Sequence, residues 1–222
     1  MSDGPGTDAE SDVDPDPNSD RGRGVEAVLR AFALKDEGRT GWQLRGVDDP
    51  ESVADHTWGV CLLCLFYAPL AEVDRDRALR MAVLHDLAEA ETGDFPTRAD
   101  TTAETIDSAA KERLERAAIT ELLEPFDDDL RGLWEAYEDR ETETARFVKD
   151  MDLVDMCLQA VRYERERRYD PTADPDDRLS EYDHLDEFFA TAEPRVRTDV
   201  GRELFEDAFE RYEAAKRSPE GD

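Results

Sequence analysis

A chain of 222 residues with 58 acidic and 28 basic side chains carries a formal net charge of −30 and a sequence pI of about 4.3. That charge excludes sequence-independent binding to duplex nucleic acid or to anionic membranes, which depends on Lys and Arg neutralising phosphates; a small phosphate bridged by a metal stays compatible. With 39% hydrophobic residues, the length suits one globular domain with a sizeable core.

Residues 1–24 hold seven acids and two bases, so a net −25 stays on the remainder and the folded surface itself must be acidic. Only Lys35, Lys111, Lys149 and Lys216 are lysines, which argues against the Lys/Glu enrichment of hyperthermophiles. Self-repulsion of this size is relieved where the Debye length shrinks to about 3 Å at 1 M salt, so a halophilic protein of a high-salt cytoplasm is expected. Three cysteines and no apolar signal-type core near the N-terminus fit a reducing interior without disulfides. The longest mainly apolar run, residues 60–71, is too short to span a bilayer.

Residues 1–23 are Asp, Pro, Gly and Ser with almost no apolar content, so a disordered acidic tail is expected there. Val25, Val28, Leu29 and Phe32 recur at helical spacing and predict a first helix ending before Gly38, followed by a loop to Pro50. Ser52 caps a helix over 53–67, stopped by Pro69; Asp74 caps one that runs to about Glu91 and is closed by Gly93 and Pro96. Ile106, Leu114, Ala118, Ile119 and Leu122 mark an amphipathic helix over 104–124, and helices over 128–138 and 142–168 follow. After a Pro/Asp loop at 170–177, Val200, Leu204, Ala208 and Tyr212 lie on one stripe of a C-terminal helix. There is no β-alternation, Gly-rich phosphate loop or internal repeat, and the fold class is all-α.

Histidine is scarce, with only His56, His85 and His184. His85 and Asp86 stand side by side in an apolar stretch, His56 opens a helix that turns apolar just after it, and Asp152 sits at the centre of the apolar run 147–158. Burying such groups without partners costs several kcal/mol. They are therefore either satisfied by hydrogen bonds within the core, or they coordinate a cation. Two imidazoles and two carboxylates from three helices suit a divalent ion, and nitrogen plus oxygen donors without thiolate fit Co, Mn, Fe, Ni or Zn alike. The Cys61-Leu62-Leu63-Cys64 spacing falls mid-helix on an apolar face and reads as core cysteines; His184, between acids after the loop, reads as a surface residue, and the alternating Arg/Glu run 162–168 as a solvated helix end.

The ordered segments Glu51-Ser52-Val53-Ala54-Asp55-His56, His85-Asp86-Leu87-Ala88-Glu89, Gly93-Asp94-Phe95-Pro96 and Lys149-Asp150-Met151-Asp152 resemble the HD-domain metal-dependent phosphohydrolases, most closely their 5′-deoxynucleotidase branch, whose Arg-x-Gly-Trp element Arg39-Thr40-Gly41-Trp42 matches. The resemblance implies an all-helical HD domain over 24–217, with its metal-site core at about 25–164 and a C-terminal helical extension at about 178–217. It implies one divalent ion on His56, His85, Asp86 and Asp152, and hydrolysis of deoxynucleoside 5′-monophosphates to nucleoside and phosphate. Glu89, one turn after His85 and Asp86, is the expected general acid/base. Asp94 is expected either to bind the sugar hydroxyl or, with Glu89, to hold a second ion such as Mg. Arg39 orients the phosphate, Trp42 walls the sugar, and Lys149 either pairs with a ligand carboxylate or reaches the phosphate. Another nucleotide or phosphate ester as substrate, or a metal-stabilised module without activity, are the rival readings. A homodimer is also expected, from the resemblance and from the apolar surplus of Phe188, Phe189, Phe205 and Phe209.

Overall fold

The computed structural model describes residues 19–99, 106–170 and 182–217. Residues 1–18 of the expected tail, 171–177 of the expected loop, 178–181 of the expected extension and the first two residues of the expected 104–124 helix lie outside the described residues. Ten α-helices make up the described chain: α1 Asp20–Ala31, α2 Thr40–Leu44, α3 Val53–Tyr67, α4 Arg75–Leu84, α5 Glu89–Thr92, α6 Ser108–Leu122, α7 Asp128–Asp139, α8 Glu143–Glu166, α9 Asp186–Ala192 and α10 Asp199–Arg217. Among the described residues the one β contact is an isolated antiparallel bridge between Gly38 and Ser52.

The helix starts follow their caps. Ser52 and Asp55 form a reciprocal capping box at α3, Asp74 accepts from Arg77 N at α4, Asp107 from Ala110 N at α6, and Thr142 from Ala145 N at α8. The central element is α8, which packs against α3, α4, α7, α9 and α10. Being enclosed on most sides, it buries Phe147, Val148, Met151, Val154, Cys157 and Ala160 rather than one stripe. Cys61, Cys64 and Cys157 are free thiols, the last two buried, in line with core cysteines.

Four expectations are corrected. The first helix begins at Asp20, and of its face only Ala27 is buried; Val25, Val28, Leu29 and Phe32 are 42–56% exposed, because no described element covers that stripe. A 3-10 turn at Phe32–Lys35 ends it early. The expected single helix 74–91 is two, since residues 85–88 switch to i→i−3 bonds, Leu87 N to Leu84 O and Glu89 N to Asp86 O. Leu114, assigned to the core-facing stripe of α6, is 49% exposed, while Ala118, Ile119 and Leu122 are buried.

The C-terminal aromatics are absorbed within the chain. Phe189 and Phe205 are buried, Phe189 stacks on Tyr212 at 4.5 Å, and Phe188 stacks on Trp42; only Phe209 stays well exposed. Their surplus therefore does not by itself call for a second copy. One buried carboxylate helps to fasten the extension: Asp150 on α8 accepts from Arg197 N at 3.0 Å and from Thr198 N and Oγ1, both at 2.6 Å, while Thr198 Oγ1 accepts from Gly201 N at the start of α10. A Cβ at Gly201 would collide with that carboxylate. Asp150→Ala strands these donors and is expected to cost about 2–3 kcal/mol, a Tm drop of about 5–10 °C for a chain of this size. Thermal melts check the drop, and helicity by circular dichroism below the transition is expected to be unchanged.

Candidate metal centre

Three helices deliver polar groups to one buried point. His56 lies in the first turns of α3, His85 caps the C-terminus of α4, and Asp152 sits midway along α8; all three are buried. His56 Nε2 is 3.4 Å from His85 Nε2 and 3.2 Å from Asp152 Oδ1. Asp86 Oδ2 approaches from the side, 3.2 Å from His85 Nε2 and 3.7 Å from His56 Nε2. His85 Nδ1 donates to Ala82 O at 2.7 Å, so its Nε2 presents a lone pair. Tyr137 OH, at 2.8 Å, and Lys149 Nζ, at 2.5 Å, hold Asp152 Oδ2 and leave Oδ1 facing the imidazoles.

Acceptors thus converge on one point, the arrangement that a cation satisfies. His56, His85 and Asp152 each bring one donor atom within 4.8 Å of the others, and the nitrogen and oxygen set fits a divalent metal. Without a cation, a proton on His56 takes its place. Burial and the Arg39 charge oppose it, but hydrogen bonds to Asp152 and Asp155 outweigh them and push His56 up to about 10. Burial would raise Asp86, yet the neighbouring His85 and Arg39 hold it below its ordinary value; Asp152, also buried, is held down chiefly by Lys149 and His56.

Glu89 opens α5 beside this cluster. Burial, then the charges of Asp86 and Asp94, raise its carboxyl well above the ordinary range, and its Oε2 has no hydrogen-bond partner among the described residues. Arg39 Nη1 lies 3.2 Å from Asp86, 3.5 Å from Asp94 and 3.9 Å from Glu89. Arg39 is held at the head of α2 by its own N–H, which donates to Glu51 O at 3.0 Å. Asp94 accepts from Thr40 N at 2.5 Å and its Oδ1 faces Arg39, so both its oxygens are engaged.

An open cavity of about 800 Å³, counting its solvent-filled mouth, leads away from the cluster. Arg39, Glu89, Asp94 and Lys149 line it near the metal point, with Met156 and Phe188 among its apolar walls. Trp42 is buried in its wall, stacked on Phe188 at 3.8 Å and edge-on to Tyr163 at 5.2 Å. A buried pair, Arg98 Nε donating to Glu187 at 2.6 Å, borders the same space.

All nine singled-out side chains therefore gather here, with Lys149 paired to Asp152 and also lining the cavity. Four others escaped the sequence reading. Asp155 holds His56 Nδ1 at 2.7 Å, Tyr137 holds Asp152, Phe188 covers Trp42, and Lys111 Nζ donates to Phe95 O at 3.1 Å. Asp155 alone had a usable signal, a second acid one turn after Asp152 in an apolar helix. His184 is not a free surface residue; it pairs with buried Glu164 at 3.3 Å.

The HD domain profile matches residues 31–193. Over 152 residues the chain is 36% identical to the 5′-deoxynucleotidase HDDC2 of Mus musculus, covering 66% of this chain and 73% of that one. It is 38% identical to its Xenopus laevis counterpart over 135 residues, 59% of this chain and 64% of that one. A solved structure of a Pyrococcus horikoshii protein superposes with a TM-score of 0.64 at 30% identity, over 85% of this chain and 98% of that one. A Magnetospirillum magnetotacticum protein described as a predicted metal-dependent phosphohydrolase gives 0.58 at 25% identity, over 89% and 96%.

Glu115, on α6, lies 3.5 Å from Lys111, and burial raises its carboxyl to about 7 against the opposing pull of Lys111. Between its ordinary 4.5 and 7 the unfolded chain is ionised while the folded one keeps the proton, so its contribution is full below the lower value and lost as pH rises through the upper. Glu115→Gln is therefore expected to gain stability relative to the parent chain across that window and to level off above it. Paired denaturant melts from pH 4 to pH 8 measure the difference.

Proposed function

Because this chain belongs to the HD-domain family, we propose that it hydrolyses deoxyribonucleoside 5′-monophosphates to deoxynucleoside and phosphate, with one divalent cation held by His56, His85, Asp86 and Asp152. The observation that carries the reading is the meeting of two imidazole nitrogens and two carboxylates beside the buried Glu89, whose Oε2 has no hydrogen-bond partner among the described residues, at the inner end of an open cavity. The relatives' names support the substrate class.

When bound, the cation polarises a phosphoryl oxygen and acidifies a water, which supplies the nucleophile at neutral pH. The chain does the rest. Arg39, already poised among three carboxylates, turns its planar fork to the non-bridging phosphate oxygens and offsets their charge. Glu89, whose hold on a proton is strengthened by burial and its acidic neighbours, gives that proton to the leaving 5′ oxygen as the P–O bond breaks. Asp94, fixed under the first turn of α2, accepts from the sugar hydroxyl, and Trp42 with Phe188 packs the sugar face. Lys149 keeps the outer oxygen of Asp152 occupied. The donors favour Co, Mn, Fe, Ni or Zn without choosing between them. Engagement of Asp94 by Arg39 and Thr40 favours the sugar-binding role over a second ion.

The test is phosphate release from a panel of deoxy- and ribonucleoside 5′-monophosphates with metal-loaded protein. Deoxynucleotides are expected to be preferred, His85→Ala and Asp152→Ala to lose bound metal and activity together, and Glu89→Gln to keep metal while kcat falls about 100-fold or more. No phosphate from any nucleotide would overturn the assignment.

The same proposal extends to state and surroundings. Exposed apolar faces on α1, with Val25, Leu29 and Phe32, and on α3, with Trp58 and Phe66, support a homodimer. The acidic surface supports work in concentrated salt inside the cell. Light scattering in 2 M potassium chloride is expected to give twice the chain mass, with a Tm that rises from 0.1 to 2 M.

A further inference from the structure

His56 is gripped at both ring nitrogens by one helix. Its Nε2 faces Asp152 Oδ1 at 3.2 Å, and its Nδ1 lies 2.7 Å from Asp155 Oδ2, one turn further along α8. The imidazole is fully buried, so neither contact is shared with solvent. The second contact has a steric precondition on α3. Gly59 stands three residues after His56, and a Cβ there would overlap the Asp155 carboxylate. Glycine inside a helix costs about 1 kcal/mol relative to alanine, and here it opens a notch through which a side chain of α8 reaches behind the histidine. Glu51 lies on the same far side, where its carboxylate accepts from Trp42 Nε1 at 2.9 Å.

We propose that Asp155 is the positioning residue of the metal centre and that Gly59 exists to admit it, a reading that rests on the metal site proposed above. A carboxylate at Nδ1 can only accept, so it fixes the N–H on that nitrogen and turns the Nε2 lone pair toward His85 and Asp152. Without it the ring can place its proton on Nε2 and donate to Asp152 Oδ1, which blocks two donor atoms at once. A negatively charged acceptor also makes Nε2 a stronger donor than a neutral one does. His85 shows the contrast, since its Nδ1 is held by the backbone carbonyl of Ala82. The two imidazoles are thus oriented by different means, and only that of His56 depends on a side chain.

The experiment measures cobalt(II) affinity of the metal-stripped full chain by competition with a chromophoric chelator, for the parent chain, Asp155→Ala, Asp155→Asn and Gly59→Ala. Asp155→Ala is expected to weaken cobalt binding 10- to 100-fold, and Asp155→Asn, which keeps the shape and an acceptor but loses the charge, about tenfold. Gly59→Ala is expected to weaken it comparably with Asp155 still present, and the double variant to be no weaker than the poorer single one. In the cobalt-loaded parent chain, His56 and His85 should each give an exchangeable, hyperfine-shifted N–H proton resonance; Asp155→Ala should lose that of His56 and keep that of His85, a loss that simple destabilisation does not produce. Cobalt affinities of Asp155→Ala and Asp155→Asn within twofold of the parent chain would overturn the inference while leaving the metal site standing. A parent chain that binds no cobalt would overturn the site and the inference together.

Discussion

Two imidazole nitrogens and two carboxylates aimed at one buried point are all acceptors, and acceptors do not satisfy one another. Either protons or a cation must stand between them. The rest of the centre is arranged around that demand: Tyr137 and Lys149 occupy the outer oxygen of Asp152, Ala82 and Asp155 occupy the outer nitrogens of the two histidines, and Arg39 balances the carboxylates on the open side. Each outer contact removes an alternative use of a ligand and leaves its inner atom pointing at the centre.

A single helix carries much of this. At about 100° per residue, Asp152 and Asp155 of α8 share one face and Asp150 projects away from it. One holds the start of α10, one joins the metal cluster and one backs His56. Three acids so close together in a buried helix would be ruinous as free charges; each is instead spent on a different set of donors. The fastening by Asp150 lies just after α9, which carries Phe188 against Trp42 and Glu187 against Arg98 at the cavity.

The acidic character of the chain is the second constraint. A site that accepts phosphate must gather positive charge from a chain with few bases, and here Arg39, Lys149 and Lys111 all line the cavity, two of them among only four lysines. Low dielectric makes these few charges count for more than the many screened acids outside.

Much of this was legible in the linear chain. Caps at Ser52 and Asp74 set helix starts because capping is a matter of a few adjacent residues. Polar residues in apolar runs marked His56, His85, Asp86 and Asp152, and motif order added Arg39, Trp42, Glu89, Asp94 and Lys149. Periodicity, however, reports that a helix has an apolar face without saying what lies opposite it. So Val25, Leu29 and Phe32 looked like core and are exposed, and the C-terminal aromatics looked surplus although Phe188 closes the wall beside Trp42. The tightening at residues 85–88 that splits α4 from α5 has no breaker residue to announce it. Asp155 and Gly59 gain their meaning from each other across an interface between α3 and α8, nearly a hundred residues apart in the chain. The sequence by itself determined most helix positions and which polar groups meet at the centre, because those depend on local chemistry; only the tertiary structure decided which groups stand behind them, because that depends on which helices touch.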